Sequence, residues 1–512
     1  MADLIETFYR NAQLSDAAYA DLAVGMSQDL YIQALRDRGF SALQATEFAS
    51  RYSVLSTFSN SATGFSATLF QVNGTNEKIL AIRGTDDWRD LLITDVLQIG
   101  LLGLANQYTD LKTFYLQLTV EGKLLSTDAL TVTGHSLGGY LAQAFTVDHP
   151  LTVSHAYTYN APGFGGLLIN PFSALGIAGA PVQTPLITNV IAQGQSFVAS
   201  TGRQLGVPEH VFIETSLNPL TNHGVRSLSD SLALYALFAK VDPNVSVSDV
   251  TNILNAASSV VANSLESGLD ALRQILQGPT VSTTPIDNYE AYYTNLIALR
   301  DNLPTVSSYR VDSLVTQSSS TVFSQAKALT ADGLAYRYAL QELNPFALVG
   351  VDYGVHNPVG ANGGPLDLYN TQTGHGTMTA LYLSDRAELL ARKNEVNVND
   401  GGLIAGLSSD TRFLDIRTGF EFGSTLTAAN DVIFGDDRVG DAISGRGGDD
   451  HLYGGDGADT IEGHDGSDYI EGNAGNDLLL SGGAGNDIIL GQQGNDTLDG
   501  EVKIGVASCN HI

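Results

Sequence analysis

The sequence holds a single cysteine, Cys509, close to its end. A disulfide framework within the chain and a cysteine-based zinc site are both excluded. Basic residues are scarce: 25 Lys and Arg stand against 55 Asp and Glu, for a formal net charge of -30. A general nucleic-acid binder needs a basic footprint, so that class is excluded as well. Long apolar runs are missing. The longest, Leu97-Gln98-Ile99-Gly100-Leu101-Leu102-Gly103-Leu104-Ala105, is far short of a bilayer span, and no transmembrane segment is expected. The opening Met1-Ala2-Asp3-Leu4-Ile5-Glu6 has neither a basic n-region nor an apolar h-region, so no Sec-type signal peptide is expected. The remainder is ordinary globular material: 43% of 512 residues are hydrophobic, enough for about two to four domains. The acidic excess suits a soluble secreted protein or one that binds cations.

One stretch carries a chemical signature. Thr133-Gly134-His135-Ser136-Leu137-Gly138-Gly139 comes after the apolar run Ala129-Leu130-Thr131-Val132 and before the helix-like Tyr140-Leu141-Ala142-Gln143-Ala144-Phe145. Strand, sharp turn and helix around G-x-S-x-G form the pattern of a nucleophile elbow. The turn lifts the serine hydroxyl clear of its own backbone, and glycines let strand and helix approach closely.

The elements around it alternate. Residues 1 to about 60 are expected to be helical and to pack on the neighbouring domain, from the apolar stripes Leu14, Ala17, Ala18, Tyr19, Leu22 and Leu30, Ile32, Leu35. Phe65–Gln71 and Lys78–Ile82, joined through Asn73-Gly74, read as a hairpin. Leu97–Ala105 reads either as a mobile lid with glycine hinges or as a buried helix end. Tyr108–Glu121 reads as a helix, Val153–Tyr159, Leu186–Ala192 and His210–Glu214 as strands, and Leu228–Lys240 as a helix. Strands alternating with helices predict a largely parallel sheet.

Residues 65 to about 240 resemble the lipase class 3 (fungal triacylglycerol lipase-like) branch of the α/β-hydrolases. The matching pieces are Ile82-Arg83-Gly84-Thr85, Gly134 to Gly139, Tyr159-Asn160-Ala161-Pro162-Gly163 and Asn222-His223. The resemblance implies that Ser136 is the nucleophile and His223 its general base. It implies an oxyanion hole from Thr85 and the Leu137 N–H, and a His135 that points away from the catalytic centre. The chemistry asks for the same roles: a serine hydroxyl is a weak nucleophile until a base takes its proton, and the base needs a third group to orient it.

The third group is where the sequence departs from the family. Class 3 lipases carry an Asp after the strand that here ends near Ala192, and this loop reads Gln193-Gly194-Gln195-Ser196. Glu214, at the end of the next strand, is the substitute expected here; its other reading is a strand-end Glu. Asp230 and the amide of Gln195 are weaker candidates.

Residues 243–425 read as a mainly helical accessory region without a motif tied to chemistry. From Asn430 the composition changes. Nonapeptides such as Gly454-Gly455-Asp456-Gly457-Ala458-Asp459-Thr460-Ile461-Glu462 repeat with one inserted residue, Ser481, up to Asp499. This is the G-G-x-G-x-D-x-U-x repeat of the RTX parallel β-roll. Asp450, Asp468 and Asp487 are expected along one edge, Asp459, Asp477 and Asp496 along the other, as hard oxygen ligands for Ca²⁺. RTX tails imply export by a type I secretion apparatus, although Glu501–Ile512 does not resemble the usual secretion segment.

The expected architecture is therefore an α/β-hydrolase sheet over residues 61–242 with an N-terminal helical segment (1–60). An appended mainly helical region (243–425), a C-terminal parallel β-roll (430–500) and an atypical tail (501–512) come after it. The expected activity is that of a secreted lipase or carboxylesterase acting on lipid esters at an interface, with Ca²⁺ structural in the repeats. Phospholipase A1 is the close alternative, and a calcium-dependent structural or adhesive RTX protein with an inactive hydrolase domain is the alternative from another class.

Overall fold

A computed structural model of the chain describes residues 2–84, 99–163, 185–193, 205–214, 223–304, 308–358, 363–398, 411–424, 427–500 and 507–508. These form two compact units, one made of residues up to 254 with 261–269 and 283–307, the other of 255–260, 270–282 and 308 onward.

In the first unit, helices α1 (Ala2–Ala17), α2 (Gln28–Arg38) and α3 (Ala42–Arg51) precede the sheet. Ser41 and Gln44 close a capping box that starts α3. The expected helical segment ends there: Tyr52–Asn60 is strand β1, with a bulge between Val54 and Ser56. Strands β2 (Phe65–Val72), β3 (Lys78–Ile82), β4 (Leu130–His135), β5 (Val153–Tyr159), β6 (Ile187–Ala192) and β7 (Val207–Val211) complete a sheet ordered β1-β2-β3-β4-β5-β6-β7. The β1–β2 and β2–β3 pairs are antiparallel and every later pair is parallel.

Alternation along β3 shows how the layers are divided. Leu80 and Ile82 join the core formed with Leu111, Phe114 and Leu118 of α4 (Ile99–Val120) and with Leu141 and Phe145 of α5 (Leu137–Asp148). Ile79 and Ala81 face the other way, onto Leu14, Leu35 and Phe48 of the N-terminal helices. A sheet covered on both faces needs no polar side, which is why β3 and β4 are buried along their whole length. Leu97 and Gln98 lie outside the described residues, and the rest of the stretch read as lid or helix end opens α4. Helices α6 (Val225–Val241), α7 (Val247–Ala257), α8 (Ser264–Gln277) and α9 (Tyr289–Asn302) come next in the chain.

In the second unit, β8 (Arg310–Ser313) and β9 (Phe346–Val349) pair among helices α10 (Ser319–Ala326), α11 (Ala331–Glu342) and α12 (Ala380–Val398). The β-roll begins earlier than the composition change suggests. Strand β10 (Thr411–Asp415) pairs antiparallel with β11 (Phe420–Phe422) and parallel with β12 (Asn430–Phe434). The coil then alternates between two sheets. One continues through β14 (His451–Gly455), β16 (Tyr469–Asn473), β18 (Ile488–Leu490) and β20 (Ala507–Ser508). The other is β13 (Ala442–Ser444), β15 (Thr460–Glu462), β17 (Leu479–Ser481) and β19 (Leu498–Asp499). Ile443, Leu452, Ile461, Ile470, Leu480 and Ile489 fill the space between them. Helix α12 meets the first of these sheets: Asp385 accepts hydrogen bonds from His451 Nδ1 at 2.7 Å and the Tyr453 hydroxyl at 2.6 Å. Just ahead of it, the Thr379 hydroxyl donates to Glu471 at 2.6 Å.

Candidate active site

Strand β4 delivers Ser136 into a turn at φ 55 and ψ −123, a conformation that non-glycine residues seldom hold. Two backbone bonds fix it. The Ser136 N–H donates to Tyr159 O at 2.9 Å, and Ser136 O accepts from Tyr140 N at 3.0 Å to open α5. The neighbouring glycines leave no slack. A Cβ on Gly134 would come within 2.5 Å of the Gly138 carbonyl, and one on Gly138 would strike the Ile82 carbonyl. Leu137 is the first residue of α5, so its N–H is among the four amides of that helix without an intrahelical partner.

His223 stands two residues before α6. Its Nε2 is 2.9 Å from Ser136 Oγ, across 87 residues of sequence. Burial pushes the imidazole down to about 4, so at neutral pH it is uncharged and free to accept the hydroxyl proton. Its backbone is held as well. The His223 carbonyl accepts from His135 Nε2 at 2.7 Å and from Asn160 Nδ2 at 3.2 Å. Asn160 itself sits at φ 45 past the end of β5, donates its N–H to Val190 O at 3.0 Å, and accepts from Ala192 N at 2.9 Å. One side chain thus ties the ends of β5 and β6 to the turn that carries His223. Sequence alone gives Asn160 no task beyond a family motif; an Asn closing a strand, where the left-handed conformation is tolerated, is the signal that points to it.

Ser136 and His223 are therefore brought together, and Leu137 lies beside them in sequence and structure. Thr85, Gln195 and Asn222 lie outside the described residues. Glu214 is engaged elsewhere: its Oε1 accepts from the Leu265 amide at 2.7 Å, in the first turn of α8. Burial, reinforced by the neighbouring Glu266, holds its carboxyl well above the ordinary carboxylate range. The hydrogen bond that the structure gives Glu214 is thus to α8. Asp230, on α6, accepts from the Tyr293 hydroxyl at 2.9 Å, and burial pushes it up to about 7. His135 packs beside Tyr19 and also grips the His223 carbonyl.

The repeat aspartates form two ladders. Asp450 N–H donates to Asp468 Oδ1 at 2.9 Å, and Asp468 N–H to Asp487 Oδ1 at 3.0 Å. On the other edge Asp459 N–H donates to Asp477 Oδ1 at 3.1 Å, and Asp477 N–H to Asp496 Oδ1 at 3.2 Å. The second oxygens of Asp450, Asp459, Asp468 and Asp477 are buried without a hydrogen-bond partner. Such orphaned carboxylate oxygens, each packed against the first glycine of its own repeat, fit a hard divalent cation.

Two stretches of the chain match known families. Residues 10–174 match the Tle-like phospholipase domain. Residues 444–479 and 479–502 match the RTX calcium-binding nonapeptide repeat. No curated protein matches the chain. Similar solved structures include a lipase from Rhizopus microsporus var. chinensis, at 18% identity over 41% of this chain and 75% of that one, with a TM-score of 0.29. Lip2 lipase from Yarrowia lipolytica is 18% identical over 43% of this chain and 82% of its own, with a TM-score of 0.29. Lipase II from Rhizopus niveus is 18% identical over 41% and 82%, with a TM-score of 0.28.

Proposed function

We propose that this chain, a lipase-like α/β domain joined to calcium-binding RTX repeats, is a serine hydrolase of lipid acyl esters. The observation that carries the reading is the 2.9 Å contact between Ser136 Oγ and His223 Nε2 on a strained elbow. Ser136 Oγ attacks the ester carbonyl carbon while His223 Nε2 takes its proton. The oxygen that becomes negative is met by the Leu137 amide at the start of α5 and by the backbone of Thr85. His223 returns the proton to the departing alcohol, leaving an acyl-enzyme. Water, deprotonated by the same imidazole, then releases the fatty acid and restores Ser136. A glycerophospholipid substrate, cleaved in the manner of phospholipase A1, is favoured by the match of residues 10–174 to a phospholipase domain. The RTX repeats support secretion through a type I apparatus, and Asp450, Asp459, Asp468, Asp477, Asp487 and Asp496 support a structural role for Ca²⁺, which would neutralise their charge. Among the described residues no helix is long and apolar enough to cross a membrane.

The test is labelling of Ser136 by a fluorophosphonate probe, with a chain-length series of p-nitrophenyl esters beside phosphatidylcholine vesicles. Absence of label would leave the roll as the functional part of the chain and the hydrolase domain inert.

Two further outcomes are expected. Glu214→Gln keeps an acceptor for the Leu265 amide and removes no charge at neutral pH. It is expected to leave kcat/KM within about twofold of wild type, well under the tenfold that 1.36 kcal/mol of barrier represents. A fall beyond tenfold would return Glu214 to the catalytic set. The acid limb of kcat/KM reports the free enzyme's base. The His223 pKa is depressed from 6.5 to about 4, so the imidazole stays neutral, and the enzyme active, down to that lower value. Activity should therefore persist through pH 6 and 5 and fall as pH drops through about 4. An acid limb centred near 6.5 would contradict it.

A further inference from the structure

The elbow histidine and a tyrosine from the N-terminal segment take no part in the steps of hydrolysis. Tyr19 lies just beyond α1, and its hydroxyl is 3.2 Å from His135 Nδ1. The Gly84 N–H, at the end of β3, donates to the same hydroxyl at 3.0 Å. On the far side of the ring, His135 Nε2 is 2.7 Å from the His223 carbonyl. A carbonyl only accepts, so Nε2 carries the imidazole proton. Nδ1 must then accept, and the Tyr19 hydroxyl donates to it. The hydroxyl oxygen is left to accept from Gly84. One arrangement of protons satisfies every group in the string.

The surroundings keep that arrangement. Burial, helped by the neighbouring His223, pushes His135 down to about 3, so the ring stays neutral. Burial pushes the Tyr19 hydroxyl up to about 12, so it stays protonated. A Cβ on Gly84 would lie 2.7 Å from the Tyr19 hydroxyl and 2.8 Å from the His135 carbonyl, so strand end, tyrosine and elbow are packed without slack. The guanidinium groups of Arg38 and Arg83 lie 4.9 and 5.5 Å from the Tyr19 ring centre, and Arg38 is itself paired with the buried Asp16 at 2.8 Å.

We propose that Tyr19 and His135 form a positioning relay. It fixes the backbone of the base at one end and the Gly84 amide, just past β3, at the other. The base and the chain leaving β3 are thereby set by a single hydrogen-bonded string, and neither relay residue touches substrate. The inference rests on Ser136 and His223 being nucleophile and base.

Two measurements test it, and the first does not depend on activity. Side-chain ¹⁵N–¹H NMR of the full chain with labelled histidine should show His135 as the slowly exchanging Nε2–H tautomer. In Tyr19→Phe, which deletes the donor to Nδ1, that signal should shift and exchange faster. An Nδ1–H tautomer, or a His135 signal indifferent to Tyr19→Phe, overturns the relay whether or not the chain hydrolyses anything. The second measurement is the rate of Ser136 acylation by the fluorophosphonate probe. Displacing a catalytic group by a fraction of an ångström costs about tenfold to a hundredfold, and that loss is expected in Tyr19→Phe and His135→Ala, with KM for the ester unchanged. His135→Gln, whose amide offers both a donor and an acceptor, should recover most of the wild-type rate. Wild-type acylation in Tyr19→Phe, or equal losses in His135→Ala and His135→Gln, overturns the relay. A wild type that takes no label fails the hydrolase assignment instead, and the tautomer then decides the relay alone.

Discussion

Ser136→Ala is expected to lower kcat for ester hydrolysis by about four to six orders of magnitude, the range found when single members of a serine triad are removed. The substitution deletes the oxygen proposed to attack the ester, which is also the partner that His223 Nε2 holds at 2.9 Å. It leaves the Leu137 amide and the shape of the elbow in place, so a small rate above the uncatalysed one remains. Folding should be nearly unaffected. Alanine at φ 55 carries about the same backbone strain as serine, and the bonds that hold the turn, Ser136 N to Tyr159 O and Tyr140 N to Ser136 O, are main-chain. His223→Ala should cost a similar factor, because base and nucleophile act as one device. The double variant is then expected to be no slower than the slower single one. Single-turnover release of p-nitrophenol from a short-chain ester measures all three. A Ser136→Ala variant within tenfold of wild type would remove Ser136 from the chemistry, and multiplicative losses in the double variant would mean the two residues work separately.

Chelation of calcium is expected to unfold the roll as a cooperative block. Four buried carboxylate oxygens, on Asp450, Asp459, Asp468 and Asp477, have no hydrogen-bond partner of their own. Each such group costs about 1–3 kcal/mol when left unsatisfied. Burial, reinforced by neighbouring carboxylates, pushes these side chains up, to about 7 for Asp450 and Asp477 and about 6 for Asp459 and Asp468. The apolar filling is a single file of side chains, Ile443 to Ile489, too thin to offset that cost. Metal binding free energy then becomes folding free energy. Excess EGTA should abolish the β-signal of residues 430–500 in circular dichroism. It should also strip amide protection from residues 379–386, because Asp385 and Thr379 find their partners on His451, Tyr453 and Glu471 of the roll. Asp468→Asn, in the middle of its ladder, should raise the calcium midpoint further than Asp496→Asn at the end of the other. Spectra and exchange unchanged by EGTA would mean the roll stands without the metal.

The parts of this molecule that are legible in sequence are those written in local order. The elbow is strand, turn and helix within a few residues, and the Asn73-Gly74 hairpin is equally local. The roll declares itself because its ligands and its filling recur with one short period. Strand β1 is hidden by abutment: α3 runs to Arg51 and the strand starts at Tyr52, with no turn residue between them. The rest of the site is hidden by distance. Tyr19 meets His135 across 116 residues, and Asn160 meets His223 across 63. No periodicity records such meetings; only the strand order does, by placing the ends of β3, β4, β5 and β6 along one edge. Glu214 shows how far chain position alone reaches. Its position in the chain suits an acid, but an amide of α8 has already claimed it.

The two aspartate ladders also govern how this chain can change length. Successive rungs stand 18 or 19 residues apart, and the extra residue at Ser481 is taken up without breaking either ladder. Loss or gain of one nonapeptide would leave every rung a neighbour, yet it would carry each later strand to the opposite sheet. Residues shaped to meet α12, among them Glu471, would then face away from it. Loss or gain of two would return them to the same side. A change in repeat number ahead of Glu471 therefore keeps this face towards α12 only when it comes in even steps.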